Sequence, residues 1–130
     1  MKAKSALAAS LAAVAALLSG CASSFHGSYL VGDRYFKSSI DTQPVIILSV
    51  DGRDTTMRRV LVDPGERVIR VQAMPVPGAP NETATFKLDV KPCFTYYIVA
   101  VRETRIAAEF TPRIDYAQPL GGCDPDAGKK

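Results

Sequence analysis

Past its first twenty residues, the chain consists of short apolar segments separated by glycine and proline turns, and this spacing is what most limits its possible folds. The segment "PVIILSVDG" is β-branched and ends at Asp51-Gly52, a pair that favours a two-residue hairpin turn. The segment "TFKLDVK" alternates, and "CFTYYIVAV" is apolar on both faces, as in a central strand. No helical period is sustained, and "ETRIAAEF" is long enough for only a turn or so of helix. The pattern predicts an all-β fold, a single small antiparallel β-sandwich over residues 44–123.

A second turn signal lies inside "MRRVLVDPGERVIRVQAM". Pro64 supplies the φ of about −65° that a turn needs, and Gly65 tolerates the positive φ that follows. Apolar and polar residues alternate on both sides of this turn, so we predict a β-hairpin around Asp63-Pro64-Gly65. Further along, "PVPGAPNE" predicts a long loop, and residues 110–120, which contain two prolines, predict an edge strand.

The N-terminus resembles the signal peptide of a bacterial lipoprotein. Lys2 and Lys4 precede an apolar run that is shorter than the roughly 20 residues needed to span a bilayer. The run ends "LSGC", which resembles a lipobox: an aliphatic residue, two small residues and Cys21. The resemblance implies that the Cys21 thiol carries a diacylglycerol, that the chain is cut before Cys21, and that the new amine is acylated. The alternative is an ordinary signal peptide with an incidental cysteine.

The residues after the lipobox-like motif bear on location. In enterobacterial lipoproteins, an aspartate directly after the lipidated cysteine acts as a signal for retention in the inner membrane. This chain has Ala22 at that position, so it does not resemble the retained class. We therefore expect an outer-membrane protein that faces the periplasm and is held by its lipid anchor. Residues 1–20 are predicted to be the signal peptide, 21–43 the lipidated cysteine and a polar tether, and 124–130 a polar tail. Within the tether, Tyr29 to Phe36 could pair as an edge strand.

Charge and cysteine content agree with an exported domain. Removal of residues 1–20 takes away Lys2 and Lys4 and leaves 14 basic against 13 acidic residues, a net charge of +1. This gives no argument for nucleic-acid binding, and export argues against it. The two cysteines other than Cys21 are Cys93 and Cys123, and an oxidising envelope favours a disulfide between them. A metal pair lacks partners, because the chain has one histidine and no Cys-x-x-Cys motif.

Two groups of motifs resemble known families. "SVDGRDTTMRRVLVDPGERVIRVQA" and "ATFKLDVKPCFTYYIVAV" resemble a PEGA-like β-sandwich module. "KPCFTYYIVA", "FTPRIDY" and "PLGGC" resemble a group of short proteobacterial lipoproteins. Together these motifs cover about residues 45–123. The resemblance implies the fold and almost nothing about activity.

Residues suited to catalysis or to metal or cofactor binding are sparse, so we predict no catalytic residues, no metal and no cofactor. The one histidine, His26, falls in the predicted tether, and no phosphate-binding or metal motif is present. Asp51, Asp54 and Asp63 lie in or beside turns, where aspartate forms local hydrogen bonds. A glycosidase would need two carboxylates about 5–9 Å apart in a cleft.

The arginines of the predicted hairpin form the one binding hypothesis. If the strands pair, Arg58 or Arg59 faces Arg67 or Arg70 across them. Such a cluster would suit carboxylates and phosphates, as in lipopolysaccharide or peptidoglycan stem peptides. The alternative is a solvated sheet face on which acidic neighbours pair with these arginines.

The expected function is that of a non-catalytic, outer-membrane-anchored lipoprotein, a binding or accessory module of the cell envelope. The expected partners are the membrane, through lipid on Cys21, and an envelope protein or anionic cell-wall polymer. Nucleic acid is not expected. One alternative is a periplasmic hydrolase inhibitor that projects the loop "MPVPGAPNE". A second alternative is a small envelope hydrolase, which would need converging carboxylates.

Overall fold

Eight β-strands and no helix make up the part of the chain that the computed structural model describes, which is residues 25–38, 41–75, 81–104, 107 and 109–127. The predicted signal peptide, Cys21, loop residues 76–80 and residues 105, 106 and 108 of the predicted helical turn lie outside it. No helix in the described ranges is long and apolar enough to cross a membrane. The strands are β1 Ser28–Val31, β2 Thr42–Val50, β3 Arg53–Met57, β4 Arg59–Val62, β5 Gly65–Ala73, β6 Thr83–Val90, β7 Phe94–Val101 and β8 Thr111–Pro119. The all-β prediction is confirmed for these residues.

Strand β2 belongs to two sheets, and this gives the domain its sandwich-like arrangement. Its first three residues pair with β7, whereas its residues from Val45 onward pair with β5. We call the order β8-β7-β1-β4 sheet A and the order β6-β5-β2-β3 sheet B. The register of β2 shifts between Ile47 and Ser49, and such a bulge bends a strand. The two sheets form one continuous eight-stranded sheet that stays open, because β3, β4, β6 and β8 each pair on one edge.

The core lies between the inward faces of the two sheets. Sheet A contributes Leu30 and Ile98, and sheet B contributes Ile47, Ile69 and Val71, all fully buried. Burying an aliphatic side chain of this size stabilises a fold by about 1.5–3 kcal/mol. The alternation predicted for β5 and β6 is confirmed, since their apolar positions point into this core. Strand β7 is the central strand that was predicted, because it is buried on both faces and paired on both edges.

Strand β1 corrects two sequence expectations. It lies inside sheet A between β4 and β7, and its pairing with β7 is parallel, so the sheet is mixed rather than antiparallel. Ser28 and Leu30 have no exposed surface, and the Ser28 hydroxyl donates to the Lys91 carbonyl and accepts from the Phe94 N–H. The fold therefore includes Ser28–Val31, which lies within the stretch assigned to the tether. A four-residue strand among serines and glycines is too short to show a period.

The two turn signals have different outcomes. Asp51 and Gly52 have φ of 51° and 79°, and Val50 pairs with Arg53, so the two-residue hairpin is confirmed. Gly65 has the expected positive φ of 124°. The hairpin predicted around it is wrong, because β4 pairs with β1 in sheet A whereas β5 pairs with β2 and β6 in sheet B. The turn connects the two sheets, since turn chemistry sets a local backbone path and does not choose the partner of each strand.

A disulfide joins Cys93 to Cys123, as predicted, with a Cα–Cα distance of 5.6 Å. It fastens the chain after β8 next to the start of β1. The Asp124 N–H donates to the Phe25 carbonyl at 2.9 Å, and the Cys123 Sγ lies 3.4 Å from the same oxygen. Both ends of the described chain are therefore held together at one end of the sandwich.

Candidate functional site

The outer face of sheet A carries a cluster of exposed aromatic side chains. The inward positions of β1 and β7 are occupied by Leu30 and Tyr96, so the neighbouring positions point outward. One outward row crosses the sheet as Arg59, Val31, Tyr97 and Tyr116, and the next as Leu61, Tyr29, Thr95 and Gln118. We define the aromatic face as Phe25, Tyr29, Tyr35, Phe36, Leu61, Tyr97 and Tyr116.

A buried carboxylate places two of these rings. The backbone N–H groups of Tyr35 and Phe36 both donate to the Asp115 Oδ2, at 2.8 and 2.9 Å. The Asp115 side chain is 3% exposed, and the Arg113 Nη2 lies 3.8 Å from its Oδ1. The register of β7 with β8 shifts where Asp115 sits between Ile114 and Tyr116. Bulges of this kind re-aim a side chain, and here Asp115 holds the segment that follows β1 against β8.

The rings are held in fixed mutual geometry although they face solvent. Tyr35 stacks on Tyr116 with centroids 4.3 Å apart and meets Tyr97 and Phe36 edge-on at 5.2 and 5.1 Å. Tyr35, Phe36 and Tyr116 nonetheless stay 40%, 49% and 39% exposed. Exposed apolar surface gathered in one place is typical of an interaction site, and preformed rings lose little entropy on binding.

Polar and basic groups surround the aromatic face. A groove of about 480 Å³ beside it is lined by Asp33, Arg34, Tyr35, Lys37, Pro44 and Tyr97. The Arg59 guanidinium lies 4.0 Å from the centroid of the Tyr29 ring, within cation–π range. The Tyr97 hydroxyl donates to the Gln118 Oε1 at 3.2 Å. The surface therefore combines apolar ring area with donors for anionic or hydroxyl groups.

A second groove, of about 530 Å³, opens between β3 and β4 and contains the carboxylates that a hydrolase would need. Asp51, Asp54 and Asp63 line it together with Arg53 and Arg67. The Asp51 carboxylate accepts the Val68 N–H at 2.8 Å and the Arg67 Nη1 at 2.9 Å. The backbone donor, and then the Arg67 guanidinium, lower the pKa of Asp51. A general acid needs a raised pKa. The lowered pKa of Asp51 instead suits a structural role, in which its carboxylate holds the β2–β3 hairpin against β5, and we call this contact the latch.

This latch predicts a pH dependence. A carboxylate whose pKa is lowered by folding stabilises the fold above its unfolded pKa of about 4, and this contribution is lost as pH falls through the folded pKa. Asp51→Asn should keep the positive φ and an acceptor for Val68 but lose the ion pair. The thermal midpoint of the wild type should therefore exceed that of Asp51→Asn at pH 7, and the gap should narrow as the pH falls below about 4 and through the folded pKa. A gap that is the same at every pH would contradict the latch.

The four predicted arginines are not assembled into one cluster. Because β4 and β5 lie in different sheets, Arg58 and Arg59 do not face Arg67 and Arg70 across a hairpin. Arg58 pairs with Asp33 at 3.5 Å, and Arg67 is held by Asp51 and by the carbonyls of the turn before it. Arg70 lies on the outer face of sheet B.

The structure describes the remaining candidates from the sequence only in part, and the aromatic face was not among the sequence predictions. Among the described residues, no three His, Cys, Asp or Glu side chains are grouped to hold a metal. The loop predicted for a hydrolase inhibitor lies mainly at residues 76–80, outside the described chain. Tyr35 and Asp115 are 80 residues apart, so only single aromatics in polar stretches hinted at the face.

Fold and surface define a class, a disulfide-closed, sandwich-like all-β domain with an exposed aromatic face. The comparisons with known proteins add no closer identification. No family model, no curated protein and no solved structure matches the chain.

Proposed function

We propose that this protein is a non-catalytic lipoprotein, anchored in the outer membrane and facing the periplasm, that serves as a binding or accessory module of the cell envelope. The observation that carries the proposal is the aromatic face. Its rings are exposed, and Asp115 positions two of them through their backbone N–H groups, an arrangement that suits recognition. The resemblance of the chain to short lipoproteins supports only the anchored location.

The anchor is proposed to be lipid on Cys21. The lipobox-like "LSGC" is the motive, and two further observations agree with this assignment. The Cys93–Cys123 disulfide is typical of an oxidising compartment such as the envelope. The folded domain also includes Phe25, four residues after Cys21, so it lies close to the proposed anchor.

Replacement of Cys21 tests the anchor. The wild type, expressed with its own N-terminus, should sediment with outer membranes and carry the mass of a diacylglyceryl group and an amide-linked acyl chain. Cys21→Ala should lose both properties, because stable anchoring needs more than one acyl chain. Ser19→Ala keeps a small residue in the motif and should behave as the wild type. Retention of Cys21→Ala in the membrane with an unchanged mass shift would contradict the proposal.

A further inference from the structure

We infer that the aromatic face is a membrane-docking surface, which rests on the headgroup region of the bilayer that holds the lipid anchor. The inference rests on the proposed function, because it requires acylated Cys21. It adds the partner of the face, a phospholipid surface, and the orientation of the domain.

Only a short length of chain separates the proposed anchor at Cys21 from the folded domain. Phe25 is four residues after Cys21, and four residues span at most about 14 Å when fully extended. Phe25 itself is held, since its carbonyl accepts from the Asp124 N–H, and Ser28 is fully buried. The polar headgroup layer is roughly 5–8 Å thick on each side of the hydrocarbon. A domain joined so closely to its acyl chains stays at the membrane surface.

One end of the aromatic face lies next to the point where the chain from the anchor enters the fold. The Phe25 ring lies 6.3 Å from the Tyr29 ring, and Tyr29 is paired with Leu61 on β4. These three residues form the end of the aromatic face nearest the anchor, and Leu61 is 54% exposed. The same face continues across sheet A to Tyr97 and Tyr116. The side of the domain that starts at the anchor is therefore the side with the rings.

Exposed apolar surface is concentrated on the aromatic face. Of the seven large apolar side chains that are exposed in the described part of the chain, five belong to the aromatic face. The outer face of sheet B exposes only Val68 from that set, next to the ion pair of Lys87 with Glu66. Tyr and Phe rings with polar or basic neighbours suit the membrane–water interface, where one end of a side chain is apolar and the other is hydrated.

The charged side chains around the aromatic face suit a surface of phosphate groups. Arg59 lies over Tyr29, and Lys37 lines the groove beside Tyr35, so cationic groups flank the rings where headgroup phosphates would lie. Two acidic groups near the face are already compensated. Asp33 pairs with Arg58, and Asp115 is buried against the loop that it anchors. Anionic phosphates would therefore meet mainly positive groups.

The test is photocross-linking in native membranes. Leu61 and Phe36 are replaced one at a time by p-benzoylphenylalanine in the full chain, expressed with its own signal sequence. Val68 is the matched control, an exposed apolar strand residue on the outer face of sheet B. After irradiation of isolated outer membranes, the purified protein is analysed by intact mass for acylation of Cys21 and for added phospholipid. Phe36, in a loop, serves as a second site if the change at Leu61 impairs folding.

Lipid adducts should be several-fold more abundant from positions 36 and 61 than from position 68. If lipid adducts from positions 36 and 61 are no more abundant than those from position 68, and Cys21 is acylated, the docking inference is overturned. The proposed function then stays intact. Adducts to another protein in place of lipid also overturn it, because a protein then covers the face. A protein without acylation at Cys21 overturns the proposed function itself, and the docking inference with it.

Discussion

Replacing both Cys93 and Cys123 with serine should lower the free energy of unfolding by about 3–4 kcal/mol, the value that the chain-entropy model predicts for a closed loop of 30 residues. The disulfide restricts the unfolded chain. In the folded state it also joins the start of β7 to the segment that holds Phe25. For a domain of this size, the thermal midpoint should fall by roughly 10–25 °C.

Urea unfolding of the mature protein, with and without reductant, checks this prediction. Reduction of the wild type should reproduce the destabilisation seen in the double variant, and reductant should not affect the variant further. A loss below about 1 kcal/mol would mean that the native packing, rather than the cross-link, holds these segments together.

Gly32→Ala should destabilise the domain by more than about 3 kcal/mol, which places it among the most damaging single substitutions. A Cβ at this position would overlap the carbonyl oxygen of Val45, a backbone atom of β2. The Gly32 N–H also donates to the Arg58 carbonyl at 2.6 Å, and the Gly32 carbonyl accepts from the Val45 N–H at 2.8 Å. Relief of the overlap would therefore strain the hydrogen bonds that join Gly32, just after β1, to Arg58 and to Val45 of β2.

Gly121→Ala is the matched control, because a Cβ at Gly121 meets no atom within 4 Å. Its stability should stay within about 0.5 kcal/mol of the wild type. Unfolding curves of the two variants measured side by side separate a steric effect at Gly32 from a general effect of adding a methyl group. Equal stability of the two variants would show that β2 can shift at little cost.

The correct sequence predictions share a local origin. The Asp51-Gly52 turn depends on two residues that tolerate positive φ, and neighbouring strands cannot change that preference. Burial of Ile69 and Val71 follows from a period of two within one strand. The Cys93–Cys123 pairing followed from residue type, namely a count of cysteines and the oxidising compartment expected of an exported domain.

The incorrect predictions share a different origin. The pattern around Asp63-Pro64-Gly65 is a correct turn signal, yet the strands that flank it join different sheets. The same applies to the polar stretch before residue 43, which contains β1. Its four residues gain stability from β4 and β7, which follow much later in the chain. Strand partners are chosen by long-range burial, and no window of neighbouring residues contains that information.

The aromatic face shows the same division between local and long-range information. By itself, the sequence determined the all-β class, the turns, the faces of the longer strands and the disulfide, because each depends on neighbouring residues or on residue type. Only the tertiary structure decided that sheet A is mixed, that β4 and β5 join different sheets, and that Tyr35 lies on Tyr116. These contacts join residues tens of positions apart, and their energy exists only once the chain has closed the loops between them.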